Sequence, residues 1–357
     1  MRGTLRYFRG SIAVTGIGLG LAAALGFHLH GTAAGAAGTV FVAGMLAVLE
    51  VSLSFDNAVV NASVMTDMPP VWRRRFLTWG MAIAVFGMRL VFPLGVVSAM
   101  ARIGPIEALR LATFRPDEYA RVLTSAHVAL GAFGGAFLGM VFLEFFLDAE
   151  KDVHWLGGVE RRLARLGRFE AVELAVVMLV LYGFSRGFGP EQARELLVAG
   201  MFGLVAFIAV DGVGAALESG AGERRDLHRA GLTSFLYLNV LDASFSFDGV
   251  IGAFALTNDL FVIAIGLGIG AMFVRSLTIL LVERGTLASY RYLEHGAFYA
   301  IGALALIMLA GTIHEVPEAV TGGVGAAFIG LSLWSSVREE RARRAGEPCA
   351  PVVPERP

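Results

Sequence analysis

Two short runs of this chain place acids and hydroxyls inside otherwise apolar sequence: Glu50-Val-Ser-Leu-Ser-Phe-Asp56-Asn57 and Asp242-Ala-Ser-Phe-Ser-Phe-Asp248-Gly249. Both read acid-x-Ser-x-Ser-Phe-Asp, and they stand 192 residues apart. Their polar groups are oxygen donors or amides, with no Cys or His among them. Such hard ligands suit manganese(II), magnesium or calcium better than copper(I) or zinc. On a helix, Glu50, Ser54, Asn57 and Asn61 fall at i, i+4, i+7 and i+11 and so share one polar stripe. Ser52 and Asp56 form a second pair at i, i+4. Glu50 and Asp56, six apart, do not face each other on a straight helix. Either the helix unwinds near Ser52–Asp56, or the two acids address different partners. Gly249 would ease an unwinding in the second copy.

The elements that must position these residues are set by composition. Of 357 residues, 56% are hydrophobic and 17% charged, and mean hydropathy is +0.68. Soluble domains carry roughly 45–50% apolar and about 25% charged residues. This excludes a water-soluble enzyme, a nucleic-acid binder and a disordered chain. The net charge of −1 points to no polyanionic partner. The single cysteine, Cys349, excludes an intrachain disulfide or a cysteine-based metal cluster.

A membrane helix needs about 20 apolar residues. Ten stretches qualify: roughly 11–27, 39–65, 75–101, 123–147, 169–185, 195–218, 231–256, 260–282, 296–313 and 317–337. The fold class expected is therefore all-α, a polytopic membrane helix bundle. Residues 1–38 hold an N-terminal helix, either retained or a signal segment, given Arg2, Arg6 and Arg9 ahead of an apolar run. Cytoplasmic loops retain excess Lys and Arg. With the N-terminus inside, segments 1–10, 66–74, 148–168, 219–230, 283–295 and 338–357 hold 21 of the 29 basic residues, counting Arg75 with the loop before it. Outside loops hold six, and Arg89 and Arg275 lie within helices. Both termini are thus expected in the cytoplasm, with 338–357 a proline-rich disordered tail.

The acidic runs are five crossings apart and so run in opposite directions. Each is followed by a mid-helix arginine, Arg89 or Arg275, and then by a histidine, His127 or His295. This order predicts an inverted-topology repeat, 39–186 and 231–337, joined by 187–230, with the ligand site at the midplane between the copies. An ionised carboxylate at a helix centre costs roughly 2.5–3.5 kcal/mol. Glu50, Asp56, Asp242 and Asp248, less the two arginines, leave the charge that one divalent cation neutralises. Asp211 adds a further charge or a proton. The bland alternative is that these acids pair with the arginines and the serines bond to the backbone one turn earlier.

Other features have competing readings. Small residues at Gly131/Gly135/Gly139, Gly16/Gly20 and Gly266/Gly270 read first as close helix packing. His314-Glu315-Val-Pro-Glu318 lacks the second histidine of a zinc-protease motif, and reads as a solvated loop or an outer metal station. His127 and His295 read as boundary hydrogen bonding or proton relay. Glu144, Asp148, Glu170, Glu173 and Glu218 read as solvated helix-end charges or an acidic cytoplasmic vestibule.

The paired motifs resemble the two signature helices of the TerC-type integral membrane proteins, and more narrowly a bacterial subfamily related to TerC within the LysE-like transporter superfamily. The resemblance spans about residues 39–337. It implies an inverted-repeat helical fold in the bacterial cytoplasmic membrane and manganese(II) efflux or metal delivery. It carries the motif acids onto Glu50, Asp56, Asp242 and Asp248, with Asn57 beside the first aspartate. Phe55, Phe247 and Gly249 depart from the commoner pattern.

The function expected is secondary transport: export of manganese(II) or a similar divalent cation by proton antiport. Glu50, Asp56, Asn57, Asp242 and Asp248 would hold the metal. Ser52, Ser54, Asn61, Ser244, Ser246, Arg89, Arg275 and Asp211 would support them. No resident cofactor is expected; the partners are the bilayer, the cation and protons, with a homo-oligomer left open and no nucleic acid. No Gly-x-x-x-x-Gly-Lys-Ser/Thr run is present to supply ATP energy. The alternative is export of a small organic solute. An intramembrane aspartyl protease would need Tyr-Asp, Gly-x-Gly-Asp and Pro-Ala-Leu segments, none of which surrounds Asp56 or Asp248.

Overall fold

Lipid offers backbone N–H and C=O groups no partner, so a chain this apolar must satisfy them within helices. In the computed structural model the described residues form helices and no strand. The structure describes residues 5–80, 82–148, 151, 153–167, 171–218, 223–254, 256–314 and 316–344. Within these, the side chains of residues 5, 166, 211, 213–218, 223–230, 246–248, 251, 288, 318 and 343–344 are not described.

In chain order the helices are α1 (Leu5–His30), α2 (Ala33–Leu53), α3 (Phe55–Asp67), α4 (Pro70–Arg75), α5 (Phe92–Ala101), α6 (Pro105–Phe114), α7 (Pro116–Ser125), α8 (His127–Leu147), α9 (Gly157–Leu166), α10 (Val172–Ser185), α11 (Pro190–Glu218), α12 (Glu223–Ala253), α13 (Leu260–Glu283), α14 (Thr286–Ser289), α15 (Leu293–Gly311) and α16 (Glu318–Arg344). Between α4 and α5 the chain is π-helical at Phe76–Gly80 and Ile83–Val91.

Among the described residues, eight helical stretches are long and apolar enough to cross a membrane: Arg6–His30, Ala33–Leu53, Pro70–Ala101, His127–Leu147, Pro190–Val210, Leu260–Glu283, Leu293–Gly311 and Ala319–Ala342. Large apolar side chains on their outward faces, such as Trp79, Phe86 and Phe202, are exposed, as a lipid-facing surface requires. The chain is a multi-pass helical membrane protein. Two of the ten expected stretches fall outside those eight. The 169–185 stretch yields α10, 14 residues long and so about 21 Å, against a hydrocarbon core of about 30 Å. The 231–256 stretch lies in α12, which is 31 residues long but carries Asn239, Asp242 and Ser244 along it.

The 39–65 stretch is not one helix. It breaks at Ser54, whose φ of −104° and ψ of 19° end α2 and open α3. The ladder is patched on both sides: the Ser54 N–H donates to Glu50 O at 3.0 Å, and the Ala58 N–H to Ser54 O at 3.2 Å. The Asn57 N–H, in the first turn of α3, donates to Asp56 Oδ1 at 3.0 Å. A carboxylate there also suits the positive end of the helix dipole. The second motif departs from expectation: α12 runs unbroken through Gly249. Glycine permits unwinding, but an intact ladder in lipid opposes it.

Contacts fix the directions of the rods. Asn61 pairs with Asp242, and Trp72, just beyond α3, packs its ring on Phe235 at 5.7 Å. Rising numbers meet falling ones, so α3 and α12 are antiparallel. On the other side, a Cβ at Gly266 would come within 2.5 Å of Leu46 Cβ, and one at Gly270 within 2.5 Å of Glu50 Cβ. Those glycines are the line along which α13 lies parallel to α2. Gly131 and Gly135 meet α15 in the same way, at Met308 and Ala305. Gly139 makes ordinary contact with Val177, while Gly16 and Gly20 face open space; α1 seats through Gly18 against Ile269 and through Ser11, which donates to Met272 O at 2.6 Å.

Candidate cation site

The break at Ser54 leaves the predicted stripe intact. Glu50, Ser54, Asn57 and Asn61 line one cavity together with Ala84, Arg89, Asp242, Ala271, Val274, Arg275 and Thr278. Its volume is about 20 Å³, enough for one water-sized particle. Glu50, Asp56, Asn57, Asn61, Arg89 and Asp242 are all buried.

The two motif-leading acids are held differently. Glu50 Oε1 accepts from Ser54 Oγ at 3.0 Å and from Arg89 Nη2 in a buried ion pair. Arg89 Nη1 donates to Ala84 O, within the same π-helical stretch. Glu50 Oε2 looks toward Gly249, where an added Cβ would stand 3.4 Å away. Asp242 Oδ1 accepts from Asn61 Nδ2 at 2.9 Å. Since an ionised carboxylate only accepts, this bond fixes the amide's orientation and turns Asn61 Oδ1 away. Asn61 Oδ1 and Asn57 Oδ1 are both buried without a donor. An orphaned buried acceptor costs on the order of 1–3 kcal/mol, so two on one small cavity call for a guest that donates a hydrogen bond or carries positive charge. Two carboxylates, two amide oxygens and the hydroxyls of Ser54 and Thr278 form an all-oxygen set suited to a hard cation. Among the described residues no three His, Cys, Asp or Glu side chains converge on one point, so amides would have to complete the coordination.

The other expected ligands lie elsewhere. Asp56 faces α16 instead, with a Cβ at Gly325 reaching to 3.6 Å from Oδ2. The side chains of Asp248, Ser246 and Asp211 lie outside those described, as do Glu315 and the side chain of Glu318. Ser52 and Ser244 bond back to Val48 O at 2.8 Å and Val240 O at 3.1 Å, the bland reading for both. Arg275 lines the cavity, but its Nε donates to Leu77 O at 2.9 Å rather than to a motif acid. His295 Nε2 hydrogen-bonds Val153 O at 2.8 Å, and His127 lines a wider groove of about 1800 Å³ between α2, α7 and α16, with Ser52, Arg121 and Phe41. Sequence reasoning missed Ala84 and Thr278, whereas the Gly266/Gly270 spacing, read as close helix packing, does mark the close seat of α13 on α2.

A family model described as "Protein of unknown function (DUF475)" matches residues 55–343, most of the chain. No curated protein and no solved structure matches.

Proposed function

The chain belongs to the DUF475 family, whose description assigns no activity, and from the site itself we propose a secondary transporter that exports manganese(II) or a similar divalent cation across the cytoplasmic membrane by proton antiport. One observation carries the reading. Two donorless amide oxygens, Asn57 Oδ1 and Asn61 Oδ1, stand beside Glu50 and Asp242 on a cavity of about 20 Å³. Small-molecule sites are roughly 300–1,000 Å³, so this cavity takes an ion and not an organic solute. Arg89 acts as a tethered counter-ion: it neutralises Glu50 while the site is empty and withdraws when the cation arrives. Protonation of the same carboxylates releases the metal. Export of two charges against 100 mV costs about 4.6 kcal/mol, from roughly 2.3 per charge, which the proton gradient supplies.

The antiparallel α3 and α12 support an inverted repeat of ten crossings, with Val172–Ser185 and α12 completing the eight apolar spans. The duplicated motif supports kinship with the TerC-type proteins. The grouping of the arginine-rich segments at one end, seen in the Ser63–Glu294 and Arg291–Glu339 contacts, supports that end as the cytoplasmic one. The test is manganese flux in proteoliposomes with an internal pH dye. Wild type moves manganese with counter-movement of protons, and Asp242→Asn does not. Equal flux in the two proteins overturns the reading. Export of an organic solute would instead use the groove beside Ser52 and Arg121, and metal-independent counterflow of amino acids would favour it.

A further inference from the structure

A second chamber, of about 120 Å³, lies between α3, α8, α11 and α12. Val64, Glu144, Phe207, Val210, Thr233, Ser234 and Tyr237 surround it, and its polar groups are a carboxylate, a phenol and two hydroxyls. Two of its helices are those of the cation site. On α3, Val64 comes three residues after Asn61; on α12, Tyr237 comes five before Asp242. Because these helices are antiparallel, both offsets point toward the same end. The rise of 1.5 Å per residue separates the cavities by about 4.5–7.5 Å along the axes. That end is the arginine-rich one: Glu144 sits one turn before the end of α8, and the neighbouring Phe145 packs on His295 at 5.4 Å.

We infer that this chamber is an inward-facing station for the same cation, about one helical turn before the motif site, with Glu144 as its anionic ligand. The inference rests on the transport reading above. Glu144 is exposed, so it can meet a hydrated ion, while Tyr237, Thr233 and Ser234 offer oxygens to replace shed water. The chamber is about six times the volume of the motif cavity, which suits an ion that still carries part of its hydration shell. An acidic side chain on a membrane-spanning helix that lines a cavity marks an ion path by default. The order is then wide before narrow: partial dehydration at Glu144, full enclosure between Asn61 and Asp242.

Equilibrium binding of manganese(II) to purified protein in detergent, paired with manganese uptake into inside-out membrane vesicles, tests this. Wild type binds two ions per chain; Glu144→Gln and Asp242→Asn each bind one. Glu144→Gln raises the manganese concentration for half-maximal uptake by about tenfold, the mark of a lost binding step. Tyr237→Phe, which removes one hydroxyl and little volume, moves it in the same direction by a smaller factor. If Glu144→Gln keeps both ions and the wild-type concentration dependence, the station is overturned while the motif site stands. If wild type binds no manganese, magnesium or calcium, both fall together.

Discussion

The two acidic motifs share a pattern of residues but not a structure. In the first, the helix breaks at Ser54 and Glu50 is locked to Arg89 within the protein. In the second, α12 continues straight and Asp242 is held by a neutral amide. A guanidinium cancels charge, whereas an amide only orients it. The first acid is therefore neutralised within the protein, whereas the second keeps its charge beside a neutral amide; under the proposed function the first must be released from Arg89 before it can meet a cation. The same residue pattern stands on two helices, and the surrounding helices give its leading acids unlike partners.

The sharpest break of this comparison is charge removal on either side. Glu50→Gln strands Arg89 in a buried site and is expected to destabilise the protein by about 3–5 kcal/mol. The double variant Glu50→Gln/Arg89→Gln should recover part of that loss, read as non-additive shifts in thermal unfolding in detergent. Asp242→Asn should unfold within about 1 kcal/mol of wild type, since no charge partner is orphaned, yet lose the ion bound at the motif site. Equal stability losses from the Glu50 and Asp242 variants would erase the distinction.

Next come the glycines that admit Glu50. Gly270→Ala would put a methyl within 2.5 Å of Glu50 Cβ and 2.8 Å of Ala47 O, forcing α13 off α2 at a cost of about 1–3 kcal/mol. Gly249→Ala meets only Glu50 Oε2 at 3.4 Å. It should leave unfolding within about 0.5 kcal/mol of wild type and change which cations bind, measured by competition against manganese. The smallest effect lies outside the membrane spans. Lys151 places Nζ 3.4 Å from the Phe145 ring centroid, and burial pushes its amine down to about 8, opposed by Glu160, Glu294 and Asp148. Since the neutral form is favoured on folding, labelling by an amine-reactive ester should be half-developed near pH 8 in the native protein. In the unfolded chain it should rise only toward about 10.4. Mass spectrometry of this lone lysine reads both.

Helical periodicity made much of this legible in advance. The stripe from Glu50 to Asn61 survived because a break after one turn scarcely alters which face its residues share. The six-residue offset of Asp56 left two readings open, an unwound helix or a separate partner; the structure shows a break at Ser54 and turns Asp56 to α16, away from the metal set the motif suggested. Gly249 misled because conformational freedom is no obligation to use it. That an arginine would offset a motif acid followed from charge, and the bland alternative of direct pairing holds for Glu50 and Arg89; which acid Arg89 takes did not follow, nor did the diversion of Arg275 to Leu77 O on the π-helical turn Phe76–Gly80. No local pattern marks such a turn. Nor could spacing tell that Asn61, rather than an arginine, would hold Asp242, since that contact joins residues 181 apart.

The wide turns of Ile83–Val91 have a mechanical meaning. A π-helical segment winds wider than an α-helix, and such segments are frequent at functional sites. Shifting the wide turn by one position would swing Arg89 through roughly 100° about the helix axis while both flanks kept their seats. The guanidinium could thus leave Glu50 and return without any rod sliding, as a latch worked by winding rather than by travel.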